Sequence, residues 1–311
     1  MFATQSLTSL KRLVLFHGET TMKVLRTAFL LTALTLVLLV LGNAFGGPNG
    51  MKMALGFAVV MNAFAYFFSD KIALWSSGAK PVSREELPRL YEVMERLAAK
   101  ANLLVPKLYI VPEAAPNAFA TGRNPRHASV AVTQGLLQLM TDDELEGVIA
   151  HELSHVRNYD ILISSIAATI AGAITYMARM GYWASLFGYG GSSRDNDRGC
   201  GGLTAILMLI LAPIAALMLQ LGISRQREYA ADETGARMVG QPYGLISALQ
   251  KLGAYNQRIP SSIPQSTAAL CIVKPLFGGG VGSIFASLFS THPPLDERIA
   301  ALRQMTITRE G

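Results

Sequence analysis

The chain has 311 residues, of which 51% are hydrophobic and only 15% are charged. Soluble domains carry about 25% charged residues, so this composition excludes a wholly soluble protein and indicates that part of the chain faces lipid. The formal net charge of +6 suits a protein beside anionic headgroups of a lipid bilayer and requires no nucleic-acid partner. Two cysteines, Cys200 and Cys271, are too few for a disulfide framework, which agrees with a reducing compartment.

Four apolar stretches are each close to the length that crosses a bilayer, roughly 20 residues in a helix. The first pair predicts a transmembrane hairpin over residues 27–69, and the second pair predicts another over residues 161–224. Small residues dominate 167–173, which suits helix packing in a membrane and equally a buried helix of a soluble domain. We predict that the second hairpin spans the membrane, with a buried, non-spanning pair of helices as the alternative.

Residues 1–26 form a predicted cytoplasmic tail before the first span. Met22 opens a short basic segment of the kind that precedes a first span, so we hypothesise that translation begins there and that residues 1–21 lie upstream. Positive charges concentrate before this span, whereas the loop inside the first hairpin holds one lysine; the charges are Lys11, Arg12, Lys23 and Arg26. The positive-inside rule therefore places the N-terminus, and everything after each hairpin, in the cytoplasm.

The segments between and after the hairpins, 70–160 and 225–311, predict one α+β domain. Ser83 to Glu86 has the pattern of a capping box that opens an amphipathic helix. Short apolar runs at 108–111 and 129–133 predict strands, and the segment near Ala118 predicts the edge of a small mixed or antiparallel sheet. After the second hairpin, the pattern predicts helices over 225–239, around 245–252 and over 295–305.

A metal-binding pattern, His151-Glu152-Leu153-Ser154-His155, lies on a predicted helix that a capping box starts at Thr141. Histidines four residues apart share one face of a helix, so their rings can reach a single ion. Glu152 points close to the same face and can act as general base toward water activated by zinc. The alternative is a surface helix with two incidental histidines, but the chain has only five histidines and two fall at ligand spacing. His17 and His127 are interpreted as incidental.

A catalytic zinc needs a third protein ligand, and Glu228 and Asp232 supply two acids four residues apart on the helix after the second hairpin. In isolation they would be interpreted as a solvated helix face beside Arg225 and Arg227. Beside the histidine pair, one of them completes a hydrolytic zinc set of two histidines and a carboxylate. The other acid can accept the far N–H of a ligand histidine and fix its tautomer.

These motifs and the two apolar hairpins resemble the HtpX family of membrane-bound zinc metalloproteases, over the whole chain from about Met22. CAAX prenyl endoproteases and the soluble gluzincins are more distant relatives. The resemblance implies one zinc per chain, bound by His151, His155 and Glu228, with Glu152 as base and proton shuttle and Asp232 orienting a ligand histidine. It also implies a bacterial inner-membrane location and a role in clearing misfolded membrane proteins.

Two further segments match the family pattern. Asn117, Ala118 and Phe119 resemble the gluzincin edge strand, whose backbone pairs with an extended substrate while the asparagine side chain holds it. His292 precedes a helix that begins at Pro294, and a fixed imidazole there can donate to the oxyanion of the tetrahedral intermediate. The alternative for His292 is a surface or capping histidine. Asp160 recurs in the family pattern without an assignable role.

The predicted function is zinc-dependent hydrolysis of peptide bonds in unfolded or misfolded membrane proteins, at the cytoplasmic face of the membrane. Polypeptides and the lipid bilayer are the expected partners, and no oligomeric state is predicted. A site-2 type intramembrane protease is disfavoured because acids surround the motif and no Leu-Asp-Gly sequence occurs. The alternatives kept are a CAAX-type processing endopeptidase and a catalytically silent, zinc-stabilised membrane scaffold, for which Glu152 would have no use.

Overall fold

A computed structural model of the protein describes residues 2–170, 225–256 and 293–305, together with 258, 261, 263, 267 and 270–273. Most of the predicted second hairpin, 161–224, lies outside the described residues beyond Ile170. His292 also lies outside them. The division of the chain into a tail, two hairpins and one catalytic domain therefore stays a prediction.

The N-terminal helix α1, Phe2–Ser76, breaks at Gly47, where the backbone has φ +57° and ψ −150°. This conformation favours glycine, and Pro48 then begins the second arm with a φ preset for a helix. The two arms run antiparallel, since the Asn62 side chain donates to Thr35 Oγ1 at 2.9 Å. They approach closely at Gly42, where an added Cβ would lie 2.5 Å from Ala54 Cβ. The break thus falls inside the predicted loop of the first hairpin.

The second arm carries an apolar surface with little protein against it. Within the described chain, Gly47–Ser76 is the one helix long and apolar enough to cross a bilayer, and only 11% of its apolar window is buried. Met53 and Val60 are 77% and 65% exposed. Such a continuous exposed apolar face is costly in water and favourable in hydrocarbon.

The sheet has four strands in the spatial order β1-β2-β4-β3. The strands are β1 Lys80–Pro81, β2 Lys107–Val111, β3 Ala118–Gly122 and β4 Ala128–Thr133. β2 pairs with β4 in parallel, whereas β1 and β3 pair with their neighbours antiparallel. The predicted mixed sheet is therefore confirmed, and β3, which holds Ala118 opposite Val132, is an outer strand of the sheet.

Helix α2, Pro88–Lys100, begins later than the capping pattern predicted. The Glu86 carboxylate does accept from the Ser83 N–H, but across a turn that precedes the helix. Leu87 has φ −133° and ψ 65° because the ring of a following proline disfavours the helical region. Pro88 then occupies the first helical position, where its missing N–H has no cost. The start predicted at Ser83 was therefore wrong, while the apolar face of the helix packs on the core as expected.

The remaining helices surround α4, Asp142–Arg157, which contains the metal-binding pattern. They are α3 Gln134–Leu139, α5 Asp160–Ile170, α6 Arg225–Val239, α7 Tyr243–Asn256 and α8 Leu295–Gln304. α4 packs against α2, α6, α7 and β3, so most of its residues are buried. The predicted capping box at Thr141 is present, with Glu144 Oε2 accepting from the Thr141 N–H at 2.9 Å. The result is an α+β core with one α-helix at its centre.

Candidate active site

Two imidazoles from α4 face each other inside the core. His151 and His155 lie one helical turn apart, and their Nε2 atoms are separated by 3.2 Å. His151 is fully buried, and His155 retains 17% side-chain exposure. The i, i+4 spacing on a buried helix is what directs both rings to one point.

A carboxylate from α6 completes the cluster. Glu228 Oε2 lies 3.8 Å from His151 Nε2, and Glu228 Oε1 lies 3.5 Å from His155 Nε2. α6 reaches this position because Gly235 presents no side chain to α4; an added Cβ would lie only 3.0 Å from the His151 backbone nitrogen. The sequence separates these residues by the whole of 161–224, and the fold brings them together.

Each histidine is held from behind by its own acid. Asp232 Oδ1 lies 2.9 Å from His151 Nδ1, and Asp160 Oδ2 lies 3.4 Å from His155 Nδ1. A carboxylate accepts from Nδ1–H, so we assign each neutral ring the tautomer with its Nε2 lone pair toward the centre. Sequence reasoning placed Asp232 here but gave Asp160 no role.

Each acid is in turn paired with an arginine. Arg298 from α8 donates to Asp232 from Nε at 2.8 Å and from Nη2 at 2.7 Å, a bidentate pair that is completely buried. Arg227 Nη1 lies 3.9 Å from Asp160 Oδ1. Sequence reasoning missed Arg298. A signal for it existed, since Arg298 lies within the apolar stripe that Leu295, Ile299 and Leu302 form at helical spacing.

The cluster has the charge and spacing that a divalent metal requires. Tetrahedral zinc with bonds of about 2.0–2.1 Å places its ligand atoms about 3.3–3.4 Å apart, close to the separations seen here. Around the cluster, four buried or nearly buried carboxylates outnumber two guanidiniums; they are Glu152, Asp160, Glu228, Asp232, Arg227 and Arg298. The residues therefore fit a metal ion, and His151, His155 and Glu228 are the group able to hold it.

The acidic surroundings also act on the His155 ring. Burial opposes protonation, but the carboxylates of Asp160, Glu228 and Glu152 outweigh it and raise the pKa of His155 to about 9. For His151, burial dominates and lowers the pKa, against the opposing effect of Asp232. The field that favours a proton on His155 equally favours a metal cation between the rings.

Glu152 is a buried carboxylate next to the histidine pair. It is 1% exposed, and its Oε1 accepts no hydrogen bond from the described part of the chain. Burial raises the pKa of Glu152 to about 7, with Glu228 adding to the effect and His155, the Ala120 backbone and Arg298 opposing it. A buried polar atom of this kind costs stability unless it serves a ligand or a reaction. A carboxyl group with a pKa near neutrality can both take and return a proton.

The predicted substrate strand lies next to this carboxylate. Asn117 precedes β3 and is 1% exposed, and the Ala118 carbonyl faces away from β4 toward the segment 270–273. The Phe119 side chain lies on the other face, packed with Val111 and Ala131. The structure thus brings the predicted edge strand, Glu152 and the histidine pair together.

Known proteins are similar to this chain in both sequence and structure. The family model described as peptidase family M48 matches residues 84–306. A protease HtpX homolog of Syntrophobacter fumaroxidans is 52% identical over 281 residues, covering 90% of this chain and 98% of that protein. One from Thermococcus sibiricus is 50% identical over 283 residues, covering 90% and 95%. The crystal structure of S. mikatae Ste24p is similar with a TM-score of 0.46 at 19% identity, covering 93% of this chain and 67% of that chain.

The family match covers most of the chain, and the relatives are similar over nearly their full lengths. The resemblance predicted from the motifs is thereby confirmed, and with it a metal-dependent peptidase activity. The chain belongs to peptidase family M48 and is a metalloendopeptidase of the HtpX type.

Proposed function

We propose that this metalloendopeptidase uses zinc, is anchored in the bacterial cytoplasmic membrane with its active site facing the cytoplasm, and cleaves unfolded or misfolded membrane proteins. The observation that carries the proposal is the convergence of His151, His155 and Glu228 beside the buried Glu152. Two imidazoles and a carboxylate offer ligand atoms within 4.8 Å of one another, in acidic surroundings that a cation stabilises.

In the proposed mechanism, His151, His155 and Glu228 hold the zinc. The ion would act as a Lewis acid toward the scissile carbonyl and the attacking water. Glu152 takes the proton from that water and returns it to the leaving amine, which its near-neutral pKa allows. Asp232 and Asp160 keep the two rings in the metal-binding tautomer. His292 is proposed to donate to the oxyanion.

The proposed substrate binds extended along β3, with its backbone paired to the outer edge of that strand. Strand addition recognises main-chain groups more than side chains, which suits a protease acting on many unfolded sequences. Asn117 is proposed to hold the substrate backbone through its side-chain amide. Folded proteins present few free extended segments, so the requirement for an open strand itself selects unfolded chains.

The proposed location follows from the apolar hairpin and the distribution of basic residues. The helix Gly47–Ser76 leads directly into β1 and packs near β3, so the catalytic core would lie against the membrane surface. Positive charge before the first span favours a cytoplasmic N-terminus and a cytoplasmic catalytic domain, 70–160 and 225–311. With residues 161–224 as a second spanning hairpin, zinc would join the two ends of that hairpin.

The substrate proposal is tested in vesicles of phosphatidylethanolamine and phosphatidylglycerol that contain the zinc-loaded protein. A labelled polytopic membrane protein is supplied folded or unfolded, and fragments are quantified on gels. We expect the unfolded form to be cleaved at least tenfold faster than the folded form. We expect this cleavage only where the catalytic domain lies on the same side of the bilayer as the cytoplasmic loops of the substrate. Equal cleavage of both forms would reject selection for unfolded membrane proteins.

The role of Asp160 gives a separate prediction about metal affinity. Replacing Asp160 with Asn should weaken zinc binding by about 10–100-fold, because the amide no longer favours the His155 tautomer that presents Nε2. Competition with a chromogenic chelator measures the affinity. Asp143→Asn, at an exposed acid on helix α4, is the matched control and should bind zinc as the parent does. Parental affinity in Asp160→Asn would remove Asp160 from the site.

A further inference from the structure

A segment of the chain itself lies along the outer edge of β3. The Ile272 N–H donates to the Ala118 carbonyl at 3.0 Å. The Ile272 carbonyl accepts from Arg298 Nη1 at 2.8 Å. Both main-chain groups of Ile272 are thus bound by residues of the active site, one by the edge strand and one by the buried arginine.

The next residue is held by the predicted substrate clamp. Asn117 Nδ2 donates to the Val273 carbonyl at 2.8 Å, and Asn117 Oδ1 lies 3.5 Å from the Val273 N–H. A side-chain amide that faces both polar groups of one residue imitates a neighbouring strand. These are the groups, Asn117 and Ala118, that the proposed function gives to an extended substrate.

The side chains of this segment are buried beside β3. Cys271, Ile272 and Val273 are 0%, 1% and 6% exposed. Ile272 belongs to the main hydrophobic core, whereas Cys271 belongs to a second cluster with Phe119 and Val111. Burial, with Glu152 and Glu113 adding to it, raises the pKa of the Cys271 thiol, which agrees with a path beside the proposed base. A substrate strand and this segment cannot occupy the same edge together.

We infer that residues 271–273 are an internal competitor that occupies the peptide-binding edge and must leave it before a substrate binds. The inference rests on the proposed function, because it takes β3 to be the substrate edge. A tethered segment competes at an effective concentration of about millimolar, so weak contacts suffice to keep it on the edge until a peptide at saturating concentration displaces it. The pocket that holds Ile272 then selects an aliphatic residue at the matching position of the substrate.

Cys271 is a native reporter of this displacement. The experiment uses the full-length, zinc-loaded chain with Glu152→Gln, to prevent cleavage, and Cys200→Ser, so that Cys271 is the one thiol. The probe is acetyl-Ala-Leu-Ala-Ile-Val-Lys-amide, and the same peptide with Pro in place of Ile is its control. We expect saturating probe to accelerate maleimide modification of Cys271 at least fivefold, while the control peptide has no effect. Unchanged or slower modification at saturation would show that the segment stays in place on β3 and is not displaced by a peptide.

A second measurement weakens the segment directly. Ile272→Pro deletes the N–H that bonds to Ala118, whereas Ile272→Val keeps that N–H and a buried aliphatic side chain. We expect a fluorescently labelled form of the same probe peptide to bind Ile272→Pro about threefold to tenfold more tightly than Ile272→Val, equivalent to about 0.7–1.4 kcal/mol. Equal or weaker binding overturns the inference. If Ile272→Pro does not fold, the Cys271 measurement decides alone, since it leaves the segment unchanged.

These readouts do not depend on hydrolysis. If the parent cleaves no peptide, but the probe accelerates Cys271 modification and binds Ile272→Pro more tightly, the competing segment is supported and the proposed catalytic mechanism is rejected. If the parent cleaves peptides, but the probe leaves the rate of Cys271 modification unchanged, the proposed function is supported and the competing segment is rejected. The two proposals therefore fail separately.

Discussion

Glu152→Gln is expected to lower kcat for peptide hydrolysis by about 10²–10⁴-fold while one zinc stays bound per chain. The substitution is isosteric, and it removes the group proposed to take the proton from water and return it to the amine. Because Glu152 Oε1 accepts no hydrogen bond from the described residues, an amide there breaks no contact of that oxygen. The measurements are kcat on an extended fluorogenic peptide in detergent and zinc content of the same sample.

The matched control for Glu152 is Glu146→Gln on the same helix. Glu146 pairs with Arg96 at 3.0 Å on the surface, so its loss should leave kcat within about twofold of the parent. Hydrolysis at the parental rate by Glu152→Gln with zinc bound would reject Glu152 as the base. If both variants lost activity and zinc together, the effect would instead be on folding.

The pH profile offers a further readout of the same group. Burial, with Glu228 adding to it, raises the pKa of Glu152 to about 7 against the opposing effect of His155, and a nearby divalent cation stabilises the carboxylate and lowers this pKa again. The base must be ionised, so kcat/KM should rise with pH through a pKa below 7 in the zinc-loaded parent. Residual hydrolysis by Glu152→Gln should lack that acidic limb.

Two residue pairs of the site were predictable because the members of each pair lie on one helix. His151 and His155 are found from their spacing, and Glu228 and Asp232 from a second i, i+4 pair on α6. The proximity of α4 and α6 was implied by family resemblance, and the close packing at Gly235 explains it physically. Sequence periodicity determines which face of a helix is buried, but not which other helix covers it.

Asp160 and Arg298 depended on tertiary geometry. Tyr159 adopts φ +60°, which turns the chain between α4 and α5 and brings Asp160 back to His155. A positive φ at a tyrosine is unusual, and no local pattern predicts it. Arg298 meets Asp232 across 66 residues of sequence, so only the assembled core shows that they pair.

Glu144 illustrates the same limit within the fold. Acidic side chains are mostly exposed in proteins, but Glu144 is 4% exposed. α7 covers it, with Ser247 Oγ at 2.6 Å and Lys251 Nζ at 2.7 Å. Burial opposes its ionisation, yet the hydrogen bonds from Lys251, Ser247 and Thr141 prevail and lower the pKa of Glu144 to about 2. The capping role was predictable from four residues, whereas the burial required α7.

Arg298→Met is expected to destabilise the fold more than any surface change, by about 3–5 kcal/mol. The guanidinium is completely buried, and it donates twice to Asp232 and once to the Ile272 carbonyl. Burial tends to raise the pKa of Asp232, and Arg298 and His151 together hold it below its usual range. Removing the guanidinium leaves Asp232 as a buried charge whose remaining partner is His151.

The instability of Arg298→Met should depend on metal. Without zinc, Glu228 and Asp232 lose their nearest strong positive charge, since Arg298 Nη1 also lies 3.5 Å from Glu228 Oε2. With zinc, the ion neutralises part of that field, and its binding to the folded state adds stability. Thermal unfolding in detergent should therefore show a larger loss of Tm with a chelator present than with saturating zinc, and the chelator value should exceed about 6 °C.

Two variants complete the test of the buried pair. Arg303→Met, exposed on the same helix α8, should melt as the parent does. Arg298→Met combined with Asp232→Asn should recover part of the Tm, because removing both charges costs less than orphaning one. The double variant should still bind zinc more weakly, since His151 loses the carboxylate that fixes its tautomer. A single variant that melts within 2 °C of the parent would mean that water or another cation replaces Arg298, and that the pair orients His151 without supporting the fold.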